Sequence, residues 1–97
     1  MGANQGVKSL GYIACGYQQI TSLSASTGLT IPDNASWALI ECESQQVRWR
    51  DDGTAPTSTV GILMNVGDIL TYDGTKLAAL KFIEVTASAK LNVSYYS

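Results

Sequence analysis

The sequence predicts an all-β protein with the strand pattern of a sandwich or barrel, and three observations lead to that prediction. Short runs of alternating apolar and polar residues recur along the chain, and turn residues separate them. No window of ten or more residues combines sustained helical spacing with an N-terminal cap. The 97 residues are enough for one domain with one core. The predicted strands cover residues 19–22, 28–31, 36–43, 46–50, 60–63, 69–72, 80–85 and 90–96.

The start of the chain differs from the rest. The first sixteen residues contain four glycines and show no stable periodicity. We expect residues 1–16 to form an arm or an added edge strand that becomes ordered when it docks on another subunit. Residues 17–97 are then the sandwich domain, and its early strand at 28–31 is stopped by Pro32.

The two central strands have the clearest alternation. In the strand at 36–43, Ala38, Ile40 and Cys42 face one side, which predicts a buried inner face. Trp37, Leu39, Glu41 and Glu43 face the other side. In the strand at 46–50, Val47 and Trp49 oppose Arg48 and Arg50 in the same way.

These strands are predicted to form a hairpin. With Ser44 and Gln45 as the loop, Cys42 faces Val47 on the apolar side and Glu41 faces Arg48 on the other. A four-residue loop of the same parity is an alternative, because Ser-Gln is a poor turn pair.

In the second half of the chain, turn residues show where the predicted strands begin and end. Residues 51–57 predict a turn, because Gly53 permits a positive φ and Pro56 cannot pair in a sheet. Residues 76–82 are ambiguous, and we interpret them as a loop that leads into a strand. In the last strand, Leu91, Val93 and Tyr95 point to one side, and Lys90, Asn92, Ser94 and Tyr96 point to the other.

The composition excludes several functional classes. Charged residues make up only 14% of the chain and hydrophobic residues 45%, which is typical of a surface packed against copies or partners. The net charge is −2, and the basic pair Arg48 and Arg50 is followed directly by Asp51 and Asp52, so we expect no nucleic-acid binding. No segment approaches the roughly 20 apolar residues of a membrane span, and the N-terminus lacks a signal pattern. We therefore expect the chain to fold in a cytoplasm.

Catalysis and metal binding are not expected either. The chain has no histidine, which removes the commonest general base and the common catalytic triads. Cys15 and Cys42 lack the spacing of a zinc site, so we interpret them as small buried or half-buried hydrophobes; a disulfide between them is the alternative. Asp51 and Asp52 are interpreted as a turn-capping pair that balances the two arginines, rather than as calcium ligands. We expect no cofactor.

One run of residues resembles a known family. Residues 47–57 (VRWRDDGTAPT), Gly61, Gly67-Asp68, Phe82-Ile83 and the ending 91–96 (LNVSYY) are similar to short proteins from the structural gene modules of tailed bacteriophages. The resemblance begins at Ile20 and covers about four-fifths of the chain. It implies a virion structural role and a small antiparallel β-sandwich of jelly-roll-like kind, assembled in the host cytoplasm.

The resemblance leaves the position in the virion open. A capsid decoration (cement) protein is the first expectation, stabilising capsomer contacts as a homo-trimer or dimer and binding the major capsid protein or another virion protein. A head–tail connector, or a tail or head-fibre component with a receptor- or carbohydrate-binding role, is the alternative.

The candidate interface residues are Trp37, Leu39, Arg48, Arg50 and Tyr96. An exposed tryptophan beside Leu39 is typical of an interface hot spot, and Tyr96 is turned toward a neighbour at the end of the last strand. Trp37 is also the better candidate for stacking on a sugar ring, because Trp49 shares the apolar face with Val47 and is interpreted as core.

Overall fold

The computed structural model of the protein describes residues 13–74 and 76–97. Within these ranges the chain forms eight strands in two four-stranded antiparallel sheets, which pack on one shared core. The strands are β1 (Ala14–Ile20), β2 (Thr27–Gly28), β3 (Trp37–Glu43), β4 (Val47–Arg50), β5 (Ile62–Met64), β6 (Ile69–Asp73), β7 (Lys81–Glu84) and β8 (Lys90–Tyr96).

The strand order of both sheets is that of a jelly roll. Sheet A has the order β1-β8-β3-β6, and sheet B has the order β2-β7-β4-β5. The first strand pairs with the last, the second with the seventh, the third with the sixth and the fourth with the fifth, all antiparallel. This wrapping of one long antiparallel ribbon into two sheets defines the jelly roll. The expected all-β class and jelly-roll-like sandwich are therefore confirmed.

The core lies between the inner faces of the two sheets. The alternation predicted for β3 and β8 is confirmed, because Ala38, Ile40, Cys42, Leu91 and Val93 are all at most 1% exposed. Full burial of a side chain such as that of Ile40, Leu91 or Val93 stabilises the fold by about 1.5–3 kcal/mol. The remaining core residues are Ile20, Leu23, Val47, Met64, Leu77, Leu80, Phe82, Ala89 and Tyr95.

The predicted hairpin between β3 and β4 is wrong. β3 pairs with β8 and β6 in sheet A, whereas β4 pairs with β5 and β7 in sheet B. The chain crosses between the sheets at Ser44, which has a left-handed φ of 76°. Two strands that face one core from opposite sheets show the same alternation as two paired strands, so the pattern does not separate these cases. Glu41 and Arg48 consequently lie on the outer faces of different sheets.

β1 begins at Ala14, which is earlier than the predicted strand at 19–22. A register shift between Ala14 and Gly16 interrupts the pairing with β8 and hides the period-two pattern. Gly16 is required there, because an added Cβ would lie 2.8 Å from Cγ of Pro32. Residues 14–16 of the expected arm thus lie in an edge strand of sheet A, and residues 1–12 lie outside the described residues.

The ambiguous stretch at 76–82 contains one turn of 3₁₀ helix, Leu77–Ala79, followed directly by β7. The turn buries Leu77 in the core.

The interpretation of Cys15 and Cys42 as half-buried and buried hydrophobes is confirmed, and both thiols are free. Burial raises the pKa of the Cys42 thiol.

Candidate functional site

The outer face of sheet A brings together three of the five candidate interface residues. The alternation of β3 turns Trp37 and Leu39 away from the core, and that of β8 does the same for Tyr96. Trp37 lies directly opposite Tyr96 in the ladder, and Leu39 lies opposite Ser94. On the far side of β8, Tyr17 lies opposite Ser94 and is 66% exposed. We call the surface of Tyr17, Trp37, Leu39 and Tyr96 the aromatic face.

The centre of the aromatic face is a stacked pair of rings. The Trp37 and Tyr96 ring centroids are 4.3 Å apart, and the ring planes are inclined by 16°. Directly opposite positions in an antiparallel ladder bring two side chains close enough for such a contact. Aromatic pairs of this kind contribute about 0.5–1.5 kcal/mol beyond the area they bury. The stack therefore holds both rings in a fixed orientation on the surface of the sheet.

Leu39 extends the aromatic face away from the stack. Its two neighbours across the ladders are the small side chains Ser94 and Thr71, and Leu39 itself is half-buried. Ile69, two residues before Thr71 on β6, is 61% exposed. Glu41 is the next residue of β3 on this face and lies opposite Ile69, so the uncharged part of the surface ends at Leu39 and Thr71.

A polar network closes the other end of the outer face of sheet A. The side-chain oxygen of Asn92 accepts hydrogen bonds from the Tyr17 hydroxyl (2.7 Å) and from Nε2 of Gln19 (2.9 Å). Its Nδ2 donates to Glu41 (3.1 Å) and to Glu43 (2.7 Å). The amide of Asn92 thus links three strands and holds two carboxylates side by side. Sequence reasoning missed this network, because an asparagine in a strand carries no pattern that names its partners.

A groove of about 460 Å³ lies beside the stack and is lined by Trp37, Thr71, Tyr72 and Asp73. The Tyr72 hydroxyl donates a 2.6 Å hydrogen bond to Asp51, which raises the pKa of the tyrosine. That bond connects β6 of sheet A to the turn after β4 of sheet B. An indole, a hydroxyl and a carboxylate around one depression are the groups that bind a sugar by stacking and hydrogen bonding.

The two candidate arginines lie on the outer face of sheet B and are bonded within the chain. Arg48 donates from Nη1 to the Gly61 carbonyl (2.9 Å) and from Nε to the Ser58 carbonyl (3.3 Å). Arg50 forms a two-bond ion pair with Asp52, at 3.0 and 2.5 Å. That hydrogen-bonded pair lowers the pKa of Asp52 to about 2. The structure therefore does not bring the arginines together with the aromatic face.

The part of the chain that the structure describes contains no cluster of three or more metal-ligating side chains. Within the same residues, no helix has the length and apolar character needed to cross a bilayer. Comparison of the chain with protein families, with curated proteins and with solved structures finds no match.

Proposed function

We propose that this protein is a non-enzymatic structural protein of a tailed-phage virion, and specifically a capsid decoration protein. The observation that supports the proposal best is the aromatic face. It presents a stacked Trp37–Tyr96 pair and Leu39 on the flat side of a sheet. In the two ladder rows that contain these residues, Asp73 is the one charged side chain. Aromatic anchors with few charged neighbours are typical of the centre of a protein interface.

The proposed mechanism is burial of this face against another virion protein, such as the major capsid protein. A rigid jelly roll keeps the anchors in place, so little conformational entropy is lost on docking. Jelly rolls serve in viral capsids and in lectins, and for this reason the fold alone does not select the role. The resemblance of residues 47–57 to phage structural proteins favours the virion, and the low charge of the chain favours assembly over life as a lone monomer.

The test is immunogold labelling of intact particles of the parent phage, viewed by electron microscopy. Label spread over the head supports a decoration protein. Label confined to the neck or tail transfers the protein to the connector or fibre class. Absence of label from particles, under conditions where a known surface protein of the same particles is labelled, contradicts the virion role.

The N-terminal arm is tested separately, by deletion of residues 1–12. This deletion leaves β1 complete, because the strand begins at Ala14. We expect the shortened chain to fold with the same thermal midpoint and to bind particles more weakly. Unchanged particle binding would remove the arm from the proposal and leave the aromatic face as the docking surface.

A carbohydrate-binding role in a fibre is the second candidate, and the groove beside Trp37 supports it. On this alternative, Trp37→Ala abolishes glycan binding while the protein stays folded. Tyr17→Ala is the matched control, because it removes an aromatic ring from the same face but not from the groove. Glycan-array binding by the unaltered protein, lost with the first change and kept with the second, would favour the fibre role over decoration.

A further inference from the structure

Among the strands that the structure describes, three of the four edge strands are unsuited to pairing with another strand. β2 has only two residues, Thr27 and Gly28. β5 has three residues. β1 is longer, but its pairing with β8 shifts between Ala14 and Gly16. Short length and bulges are among the features that block pairing at a sheet edge, as are lysine and proline on the edge strand.

The fourth edge strand, β6, has none of these devices. Ile69–Asp73 pairs with β3 in unbroken register over five residues and contains no proline, no lysine and no bulge. It is also the edge of the sheet that carries the aromatic face. An edge strand in unbroken register is a template for an added strand.

The hydrogen bonds of β6 determine which backbone groups face outward. At its two ends, Gly74 N–H donates to the Ser36 carbonyl, and Cys42 N–H donates to the Asp68 carbonyl. In an antiparallel ladder every second residue directs both backbone groups to its partner, so residues 68, 70, 72 and 74 bond to β3. The intervening residues direct N–H and C=O to the side where no described strand pairs with β6; they are Ile69, Thr71 and Asp73.

The same side of the sandwich concentrates exposed aliphatic side chains. β5 and β6 are edge strands of their sheets, and residues 65–68 alone connect them along the chain. Seven large hydrophobic side chains are exposed among the described residues, and five belong to the segment 60–69 that forms these two edges and their connection. These five are 41–61% exposed, and they are Val60, Ile62, Leu63, Val66 and Ile69. Such a concentration marks an interaction surface.

We propose that β6 of two copies of this chain pair antiparallel about a two-fold axis at Thr71, which joins two A sheets into one eight-stranded sheet. An antiparallel edge is self-complementary, so one strand supplies both halves of the interface. With Thr71 opposite Thr71 of the second copy, Ile69 lies opposite Asp73 at both ends. Every outward N–H and C=O group of the three residues then has a partner. A Thr–Thr pair is also a favourable cross-strand contact.

The charges of β6 fit a second copy in this register. Asp73 is the one charged side chain of the strand, and it lies opposite Ile69 rather than opposite its own copy. The two Asp73 carboxylates are separated by four residues along the new ladder, or about 13 Å at ~3.3 Å per residue. That separation exceeds the Debye length of about 8 Å at physiological ionic strength, so their repulsion is screened. The short strand is supplemented by the aliphatic side chains of 60–69, which add apolar area toward the roughly 800 Å² per partner of a stable dimer.

The test is sedimentation equilibrium of the full chain with substitutions at Thr71. The unaltered protein sediments with twice its 10.3 kDa mass in a concentration-dependent manner. Thr71→Pro removes an outward N–H without removing a bond to β3, and Thr71→Lys places two like charges on the axis; each raises the dissociation constant by roughly tenfold or more. Thr71→Val keeps the backbone donors and the shape of the side chain, so it retains the dimer.

Amide hydrogen exchange gives an independent readout with an alternating pattern. On dilution from dimer to monomer, the amides of Ile69, Thr71 and Asp73 lose protection, whereas those of Leu70 and Tyr72 keep it because they bond to β3. A monomer at millimolar concentration, a trimer, or a dimer that survives both Thr71→Pro and Thr71→Lys in folded protein overturns the proposal. The pairing does not depend on the virion role, so immunogold labelling and sedimentation can fail separately.

Discussion

Sheet A and sheet B bury their inner faces in one core, but their outer faces differ in kind. The outer face of sheet A carries Leu39 and a stacked pair of rings, Trp37 and Tyr96, which contact each other. The outer face of sheet B carries Arg48 and Arg50, whose guanidinium groups are bonded to the segment 52–61 of their own chain. The first face presents groups that a partner can cover, and the second holds its own loop in place.

This difference divides the candidate interface residues into two sets. Trp37, Leu39 and Tyr96 lie on one side of the sandwich, and Arg48 and Arg50 lie on the other. One flat partner cannot contact both sets at once. Docking through the aromatic face therefore leaves the arginines to a structural role, and the contrast can be tested by making matched changes on the two faces.

The largest expected effect is on binding to the virus particle, which should be lost when a charge is introduced at Leu39. Leu39→Glu places a carboxylate in the middle of the aromatic face, and we expect binding to particles to fall by roughly 100-fold, as for the loss of an interface hot spot. The fold should be retained, because the side chain points away from the core. Binding is measured by cosedimentation with particles stripped of this protein.

The matched control is Ile83→Glu, at a half-buried aliphatic residue in an inner strand of sheet B. Docking through the aromatic face predicts that this change leaves particle binding within a factor of two or so of the unaltered protein. Equal loss of binding from both changes would mean that the two faces do not differ as docking surfaces.

The next effect concerns the loop held by Arg48. Arg48→Met keeps much of the side-chain volume but removes two charge-assisted hydrogen bonds to the carbonyls of Ser58 and Gly61. Because the bond to Gly61 is part-buried, we expect the free energy of unfolding to fall by about 1–2 kcal/mol, measured by urea denaturation. Arg50→Met removes only an exposed ion pair with Asp52 and should leave the urea midpoint unchanged. A greater loss from Arg50→Met would reverse the roles assigned to the two arginines.

A pH-dependent effect on stability is expected on the inner face of β8. Tyr95, the inner neighbour of Tyr96, is 1% exposed and donates a 2.7 Å hydrogen bond to Oε1 of Gln18. Burial raises the pKa of Tyr95 to about 12, above the value of about 10 for an unfolded chain. The stabilisation is complete below pH 10 and is lost as pH rises toward 12, with a slope of at most about 1.4 kcal/mol per pH unit.

Denaturant unfolding between pH 9 and pH 12 checks this prediction. Tyr95→Phe should remove this contribution to the alkaline slope, at a cost of about 1 kcal/mol near neutral pH from the lost hydrogen bond. An unchanged alkaline slope after the substitution would assign the loss of stability to other groups.

The alternation of β3 and β8 could be predicted from the sequence, because period two is a local property of each strand. The partners of a strand could not be predicted in this way, because they depend on distant parts of the chain. The wrong prediction of a hairpin between β3 and β4 is the result. Side-chain contacts follow the same rule: a partner close in the sequence could be predicted, and a distant one could not. The ion pair of Arg50 is an example of the first, and the network at Asn92 is an example of the second. Asp52 is two residues from Arg50 and was predicted to balance it, whereas Asn92 joins Glu41 from 51 residues away.

The chain passes from sheet A to sheet B at Ser44, and the local sequence does not indicate this change. The last prediction concerns this crossing and has the smallest expected effect on stability. Glycine is the usual residue at a left-handed φ, but position 44 is a serine, so the sequence gives no sign of the turn. The φ of 76° brings the Cβ of Ser44 too close to the backbone, which strains it. Ser44→Gly relieves that strain but loosens the unfolded chain, so we expect a net gain of about 0.5 kcal/mol in the free energy of unfolding. Gln45→Gly, at the next position and without a positive φ, should destabilise instead. If both changes destabilise equally, the left-handed φ of Ser44 carries no strain that a glycine relieves.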